Sequence, residues 1–186
     1  MAITDFFTIF AGFTKVIKDL SDLSDTTKKY KQDLQHPIYA LVAQAADAMG
    51  CEAFVVGGVV RDIIMRRHNT DIDIVTVGSG IELAKQTAAL IDPDLHVNVY
   101  RNCGTAQFNY QGCVIEFVGA RKESYSHDSR KPVVEDGTLE DDQMRRDFTI
   151  NAMAIALNGP HAYELIDPFN GIEDIKLKGS KLENLA

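Results

Sequence analysis

The stretch that decides the fold covers residues 54–75, FVVGGVVRDIIMRRHNTDIDIV. An apolar strand runs into Gly57 and Gly58, a short amphipathic helix follows, and a second apolar strand carries Asp71 and Asp73. Because side chains alternate along a strand, both carboxylates point to the same face of the sheet. Asp is depleted in strands, so a pair within an apolar run indicates a site where its negative charge is compensated.

The charge of these carboxylates can be compensated by a metal or by water. Mg²⁺ favours carboxylate oxygens and keeps room for phosphate ligands. Alternatively, Asp71 ends a turn after Asn69 and Thr70, and Asp73 faces solvent at a sheet edge. The glycine pair favours the metal, because glycines let backbone N–H groups approach a phosphate and a following helix N-terminus attracts anions. The combination predicts a nucleoside triphosphate site.

Composition bounds the class of protein. A chain of 186 residues, 45% hydrophobic and 25% charged, suits one sizeable globular domain or a domain with an appendage. Its net charge of -8 argues against nonspecific nucleic-acid binding by the whole surface, although a local basic groove is compatible with it. The three cysteines lack zinc-ligand spacing and indicate reduced thiols of a cytoplasmic protein.

Residues 1–34 are predicted to form a helical arm that precedes the main domain. Its apolar side chains recur at helical spacing, and they can dock on the chain's own domain, on a second copy or on another partner. The apolar run is too short to span a bilayer, so no membrane role is expected. The stripe consists of Ile3, Phe6, Phe7, Phe10, Phe13, Ile17 and Leu20.

The remaining pattern predicts alternating helices and strands. A helix from His36 to Met49 and a helix capped by Ser79 flank the deciding stretch, and a polar, substrate-contacting loop is expected over residues 121–137. A helix capped by Thr138 and a hairpin over residues 154–166 follow. Three further strands are predicted at residues 96–100, 105–110 and 113–118.

Two features near the end of this pattern carry charge that needs a partner. Glu116 lies in the apolar run VIEFV, and it becomes a third carboxylate of the site if its strand neighbours the one with Asp71 and Asp73. Arg145 and Arg146 are adjacent, and they can contact triphosphate oxygens or simply compensate the C-terminal charge of a helix.

Four segments together resemble a known family. GGVVRD with DIDIV, ARKESYSHDSRKPVVEDGTLEDD, RRDFTINAMA and IDPFNGIEDI are similar, in this order, to the class II tRNA nucleotidyltransferases (CCA-adding enzymes) and bacterial poly(A) polymerases. The resemblance implies a polymerase-beta-like α+β head, with a short mixed or antiparallel sheet backed by helices. It assigns residues 35–166 to that head and 167–186 to the start of a neck.

The resemblance also implies roles for individual residues. Asp71 and Asp73 become the ligands of a pair of Mg²⁺ ions, and Glu116 becomes the third catalytic carboxylate. Asn151 becomes a sugar or backbone contact, with a purely structural role as the alternative. The implied triphosphate-binding residues are Gly57, Gly58, Arg61, Arg145, Arg146 and Asp147.

The implied reaction is template-independent addition of CMP and AMP, from CTP and ATP, to the 3′ end of tRNA or another RNA. Addition of AMP alone, as by a poly(A) polymerase, is an alternative that these residues do not distinguish. Apart from this start of the neck, the family's neck, body and tail are not recognisable in the sequence up to Ala186. A nucleotide-binding module that is inactive without those parts is therefore a further alternative.

Overall fold

A seven-stranded sheet organises the part of the chain that the computed structural model describes, residues 30–124 and 133–182. A separate two-stranded ribbon stands beside it. The sheet contains β1 (Ala53–Val56), β2 (Asp71–Thr76), β3 (Asn98–Tyr100), β4 (Thr105–Tyr110), β5 (Cys113–Gly119), β8 (Ala154–Ala156) and β9 (Leu165–Ile166), and the ribbon contains β6 (Arg121–Ser124) and β7 (Val133–Asp136).

The strand order is β3-β4-β5-β2-β1-β8-β9. Only β2 and β5 pair in parallel, and every other neighbouring pair in the sheet is antiparallel. A parallel pair needs a long crossover connection, which a helix and the β3-β4 hairpin supply here. The α+β class and the mixed sheet predicted from the sequence are therefore confirmed.

The helices begin where the sequence predicts capping residues. The side chain of His36 accepts the N–H of Ile38, that of Ser79 accepts the N–H of Glu82, and Thr138 forms a capping box. No helix within the described residues is long and apolar enough to cross a membrane. The helices are α1 (Pro37–Met49), α2 (Gly58–Ile64), α3 (Gly80–Ile91), α4 (Leu139–Met144) and α5 (Gly171–Leu182).

The two faces of the sheet differ in how much apolar surface covers them. Val55 of β1 and Ile74 of β2 lie in a large core with side chains of α1 and α3, such as Val42 and Leu83. The opposite face carries only a small buried cluster, which includes Val56. Because side chains alternate, the residues between the core positions of β2 and β5 lie on this less covered face.

The prediction of a loop over residues 121–137 is wrong in part. Its two ends pair as the antiparallel strands β6 and β7, with Arg121 opposite Asp136. The ribbon escaped sequence analysis because its residues are mostly charged or polar, whereas strands are recognised by apolar alternation. The segment between the two strands lies outside the described residues.

The predicted arm lies almost entirely outside the described residues, so most of it cannot be compared with the structure. Residues 30–33 are helical, and Tyr30 and Leu34 are buried in the large core. The end of the segment assigned to the arm therefore packs on the head. The boundary at residue 34 stays a prediction.

His36 combines a capping role with burial. Its Nδ1 accepts the N–H of Ile38 at 3.3 Å, and its ring lies edge-on to Tyr39 and Tyr110. Its Nε2 is buried and has no hydrogen-bond partner among the described residues. Burial lowers the pKa of His36 below its ordinary value.

Acidification should therefore destabilise the fold through His36. The folded-state pKa lies below the unfolded value of about 6.5, so the unfolded chain binds the proton more readily and stability falls as the pH drops below that value. Protonation of Nδ1 also removes the cap, which typically contributes about 1 kcal/mol. The free energy of unfolding can be measured with urea near neutral pH and again about one unit below 6.5. Between these two pH values it should fall less in His36→Asn, which keeps a capping oxygen, than in the wild type. An equal loss in both proteins would contradict this role.

Candidate active site

The predicted carboxylates meet on the less covered face of the sheet. Asp73 of β2 lies directly opposite Glu116 of β5 in the parallel register, and Asp71 lies two residues earlier on the same strand. Asp71 is exposed, whereas Asp73 and Glu116 are half-buried. The condition stated for Glu116, that its strand neighbours the one with Asp71 and Asp73, is met.

The electrostatics of Asp73 indicate that the carboxylates lack full compensation by the protein. Burial raises the pKa of Asp73 above its usual range; the charge of Glu116 adds to this, the cation of Arg146 opposes it, and Asp71 adds again. Carboxylates crowded in this way stabilise a bound cation.

The donor set suits an ion that takes part of its shell from elsewhere. Within the described ranges, no three His, Cys, Asp or Glu side chains are gathered closely enough to enclose a metal by themselves. Mg²⁺ typically binds one or two carboxylates and completes its octahedron with water and substrate phosphates. The paired Asp71 and Asp73 with Glu116 beside them fit that mode of binding.

The glycine turn after β1 lies against these carboxylates. Gly57 has φ +76°, and a Cβ there would stand 3.2 Å from Nη1 of Arg146 and 3.6 Å from Oδ2 of Asp73. Any side chain at this position would therefore be strained and would press on the site. The N–H of Gly57 donates to the carbonyl of Met153 at 3.1 Å. What Gly57 contributes is therefore the turn and the close approach, rather than a free N–H group.

Arg61 is held in place on the β1 side of the site. Its Nη1 donates to Oδ1 of Asn151 at 2.9 Å, and its Nε donates to Oδ1 of Asp62 at 3.0 Å. Oδ2 of Asp62 accepts the amide of Asn69 at 2.6 Å. Asp62 thus orients Arg61, and Asn151 supports the same guanidinium.

Arg145 and Arg146 share one buried carboxylate. Oδ1 of Asp142 accepts Nε and Nη2 of Arg145 at 2.9 and 2.5 Å, and Oδ2 accepts Nε and Nη2 of Arg146 at 3.0 and 2.7 Å. The side chain of Asp142 is fully buried. Nη1 of Arg146 also donates to the backbone carbonyl of Asn151 at 3.4 Å. Asn151 therefore contacts Arg61 with its side chain and Arg146 with its backbone.

Sequence analysis assigned no role to Asp142. The signal for its role was present, because residues three and four apart on a helix are neighbours and Arg145 and Arg146 stand at those spacings. Asp147, also predicted to bind the triphosphate, is exposed beyond α4. Its role stays a prediction.

A cavity of about 260 Å³ lies against part of this set, and Gly57, Arg61 and Asp71 are not among the residues that line it. It contains Asp73 and Glu116, with Arg145 and Arg146 on one wall. Larger cavities exist elsewhere in the described part of the chain, but it is the facing carboxylates and guanidiniums that identify this one as the candidate site. Two further polar side chains line it: Thr105, which sequence analysis missed, and Arg121, the first residue of the segment predicted to contact substrate.

Comparison with known proteins supports the resemblance. The model of a family described as the Poly A polymerase head domain matches residues 53–179. An A-adding tRNA nucleotidyltransferase of Aquifex aeolicus is 43% identical over 126 residues, which cover 68% of this chain and 15% of that protein. A CCA-adding enzyme of Lactobacillus helveticus is 39% identical over 137 residues, 73% of this chain and 32% of that enzyme.

Solved structures agree in fold. A tRNA nucleotidyltransferase complexed with a primer tRNA and an incoming ATP analog has a TM-score of 0.63 and 41% identity, over 73% of this chain and 36% of that one. A CCA-adding enzyme in apo form II gives 0.70 and 33%, over 81% and 36%. The chain thus spans little more than a third of these proteins at most. By its sequence and its fold, the chain belongs to the Poly A polymerase head domain family.

Proposed function

We propose that this chain is the catalytic head of an RNA nucleotidyltransferase that adds CMP and AMP, from CTP and ATP, to the 3′ end of tRNA. The observation that carries the proposal is the pairing of Asp73 with Glu116 in a cavity walled by Arg145 and Arg146. Relatives named for A addition or CCA addition to tRNA, and neighbours solved with a primer tRNA or with CTP, support it. We infer a cytoplasmic site of action from the same substrates.

The triphosphate is held by guanidinium groups that are ordered before it binds. Arg61 follows β1, whereas Arg145 and Arg146, just after the end of α4, line the cavity. A guanidinium offers a planar fork of donors that matches two phosphate oxygens at once. Gly57 keeps the space between these groups free of a side chain.

Asp71 and Asp73 would hold Mg²⁺, and Glu116 would stand beside it as the third carboxylate. When bound, a metal pair activates the attacking hydroxyl and stabilises charge on the leaving pyrophosphate. The RNA hydroxyl is itself the nucleophile, so no side chain of this chain forms a covalent bond to substrate. A carboxylate oxygen of Asp71 or Asp73 is the chain's own acceptor for the proton of that hydroxyl.

A second candidate is a head that binds triphosphate but does not transfer it unaided. The observation that favours it is coverage, because the chain spans about a third or less of the curated relatives it matches. If the chain does transfer nucleotides, it either adds A alone, as a poly(A) polymerase does, or adds CCA. Association through residues 1–34 stays a prediction.

Replacing both aspartates with asparagine should abolish transfer. The loss of charge removes several kcal/mol of transition-state stabilisation, so labelled CTP and ATP should be incorporated into tRNA lacking its 3′ end at least about a hundredfold more slowly. The matched control is Asp92→Asn with Asp94→Asn, an exposed pair at the same spacing beyond α3, which should transfer at the wild-type rate.

The wild type decides between the two candidates in the same assay. Transfer that depends on Asp71 and Asp73 supports the catalytic head, and the added sequence shows its specificity. Triphosphate binding that needs both Mg²⁺ and the aspartates, without transfer, supports the second candidate. Unchanged transfer in the double variant would refute the proposed site.

Removing the charge of Asp142 should loosen both arginines on α4. Asp142→Asn leaves two half-buried guanidiniums without their carboxylate, so we expect a loss of about 2–3 kcal/mol in the free energy of unfolding. The KM for the triphosphate should rise together with it, because Arg145 and Arg146 lose their orientation. Glu140→Gln, an exposed change on the same helix, is the control. Wild-type values of both quantities in Asp142→Asn would contradict this account.

A further inference from the structure

Arg121 lines two cavities, and the proposed function gives it no role. It lies at the start of β6 and lines the site cavity together with Asp73 and Glu116. It also lines a neighbouring cavity of about 400 Å³, whose wall includes Gly80 and Asp136. The guanidinium therefore has space on two sides, one of which holds the catalytic carboxylates.

The charge of Arg121 is not neutralised in the way that the charges of the other site arginines are. Arg61 pairs with Asp62, whereas Arg145 and Arg146 share Asp142. Nη2 of Arg121 instead donates to the hydroxyl of Thr105 at 3.3 Å. Among the side chains that the structure describes, no carboxylate forms an ion pair with Arg121. This includes Asp136, which lies opposite it on β7.

The strand order places Arg121 on a particular side of the reacting centre. In the order β4-β5-β2-β1, the glycine turn and Arg61 follow β1, on one side of Asp73. Glu116 and Thr105 belong to β5 and β4, on the other side, and Arg121 begins β6 two residues after β5 ends. A displacement at phosphorus puts the attacking and the leaving oxygen roughly in line, on opposite sides of the transferred group. With Arg61 holding the leaving pyrophosphate on the β1 side, an in-line attack by the RNA hydroxyl comes from the side of Arg121.

We propose that Arg121 binds a backbone phosphate of the acceptor RNA, close to the nucleotide whose 3′ hydroxyl attacks, and that Thr105 orients its guanidinium. This rests on the proposed function, because it takes the side of the triphosphate from it. A guanidinium without a carboxylate partner is suited to a phosphate diester, and a hydroxyl acceptor fixes its plane without cancelling its charge. The acidic chain would thus bind RNA through a local cation, the guanidinium of Arg121, rather than through a broad basic surface.

The test compares binding of the two substrates in Arg121→Gln. Fluorescence anisotropy with labelled tRNA lacking its 3′ end, over roughly 50 to 200 mM salt, should show affinity reduced about tenfold and a salt slope smaller by about 0.7 to 1. In steady-state assays the KM for RNA should rise while the KM for the triphosphate keeps its wild-type value. Arg121→Lys should recover part of the RNA affinity. The control is Lys85→Gln, which removes one positive charge from the exposed face of α3.

Each outcome bears on the proposal separately from the proposed function. RNA affinity equal to wild type in Arg121→Gln, or a raised KM for the triphosphate alone, overturns it even if transfer is intact. RNA binding that depends on Arg121 supports it even if the wild type transfers nothing, in which case the proposed function fails. If Arg121→Gln does not fold by its thermal melt, Thr105→Val decides, since it should weaken RNA binding in the same direction by a smaller factor.

Discussion

The parallel pairing of β2 with β5 is the constraint on which the site depends. It is the one parallel contact in the sheet of the described chain, and its register sets Asp73 beside Glu116. Slippage of either strand by one residue would turn its carboxylate toward the large core, where charge without a partner is strongly destabilising. The apolar side chains between them, Ile72, Ile74 and Ile115, hold the register by filling that core.

A second level of acidic residues supports the cations that face this pair. Asp62 and Asp142 are buried, and their carboxylates accept hydrogen bonds from Arg61, Arg145 and Arg146. Part of the chain's acidic excess is therefore structural, since it orients positive groups instead of repelling a polyanionic substrate. The net charge of the whole chain therefore says little about the local charge of the cavity, where Arg145 and Arg146 face the carboxylates.

The sequence predicted those parts of the fold and site that local patterns encode. Alternation located β1, β2 and β5, and capping residues located the starts of α1, α3 and α4. It could not establish that Asp73 meets Glu116, because that contact joins strands 43 positions apart and depends on tertiary pairing. The ribbon of β6 and β7 was missed because paired backbone, rather than apolar alternation, defines it. Arg121 begins the segment predicted to contact substrate, but only the folded sheet shows which cavities it borders.

Asn151 gives the site a property that no single contact would provide. Its amide oxygen accepts a hydrogen bond from Arg61 and its backbone carbonyl accepts one from Arg146. Two long side chains from distant segments are therefore held by the same short helical turn. A free arginine side chain carries about 2 kcal/mol of rotamer entropy, most of which is lost whenever the side chain is immobilised. Here much of that ordering accompanies folding and is already complete when a ligand arrives. The entropic penalty of forming the complex falls accordingly, and a small head can bind a highly hydrated anion with few direct contacts.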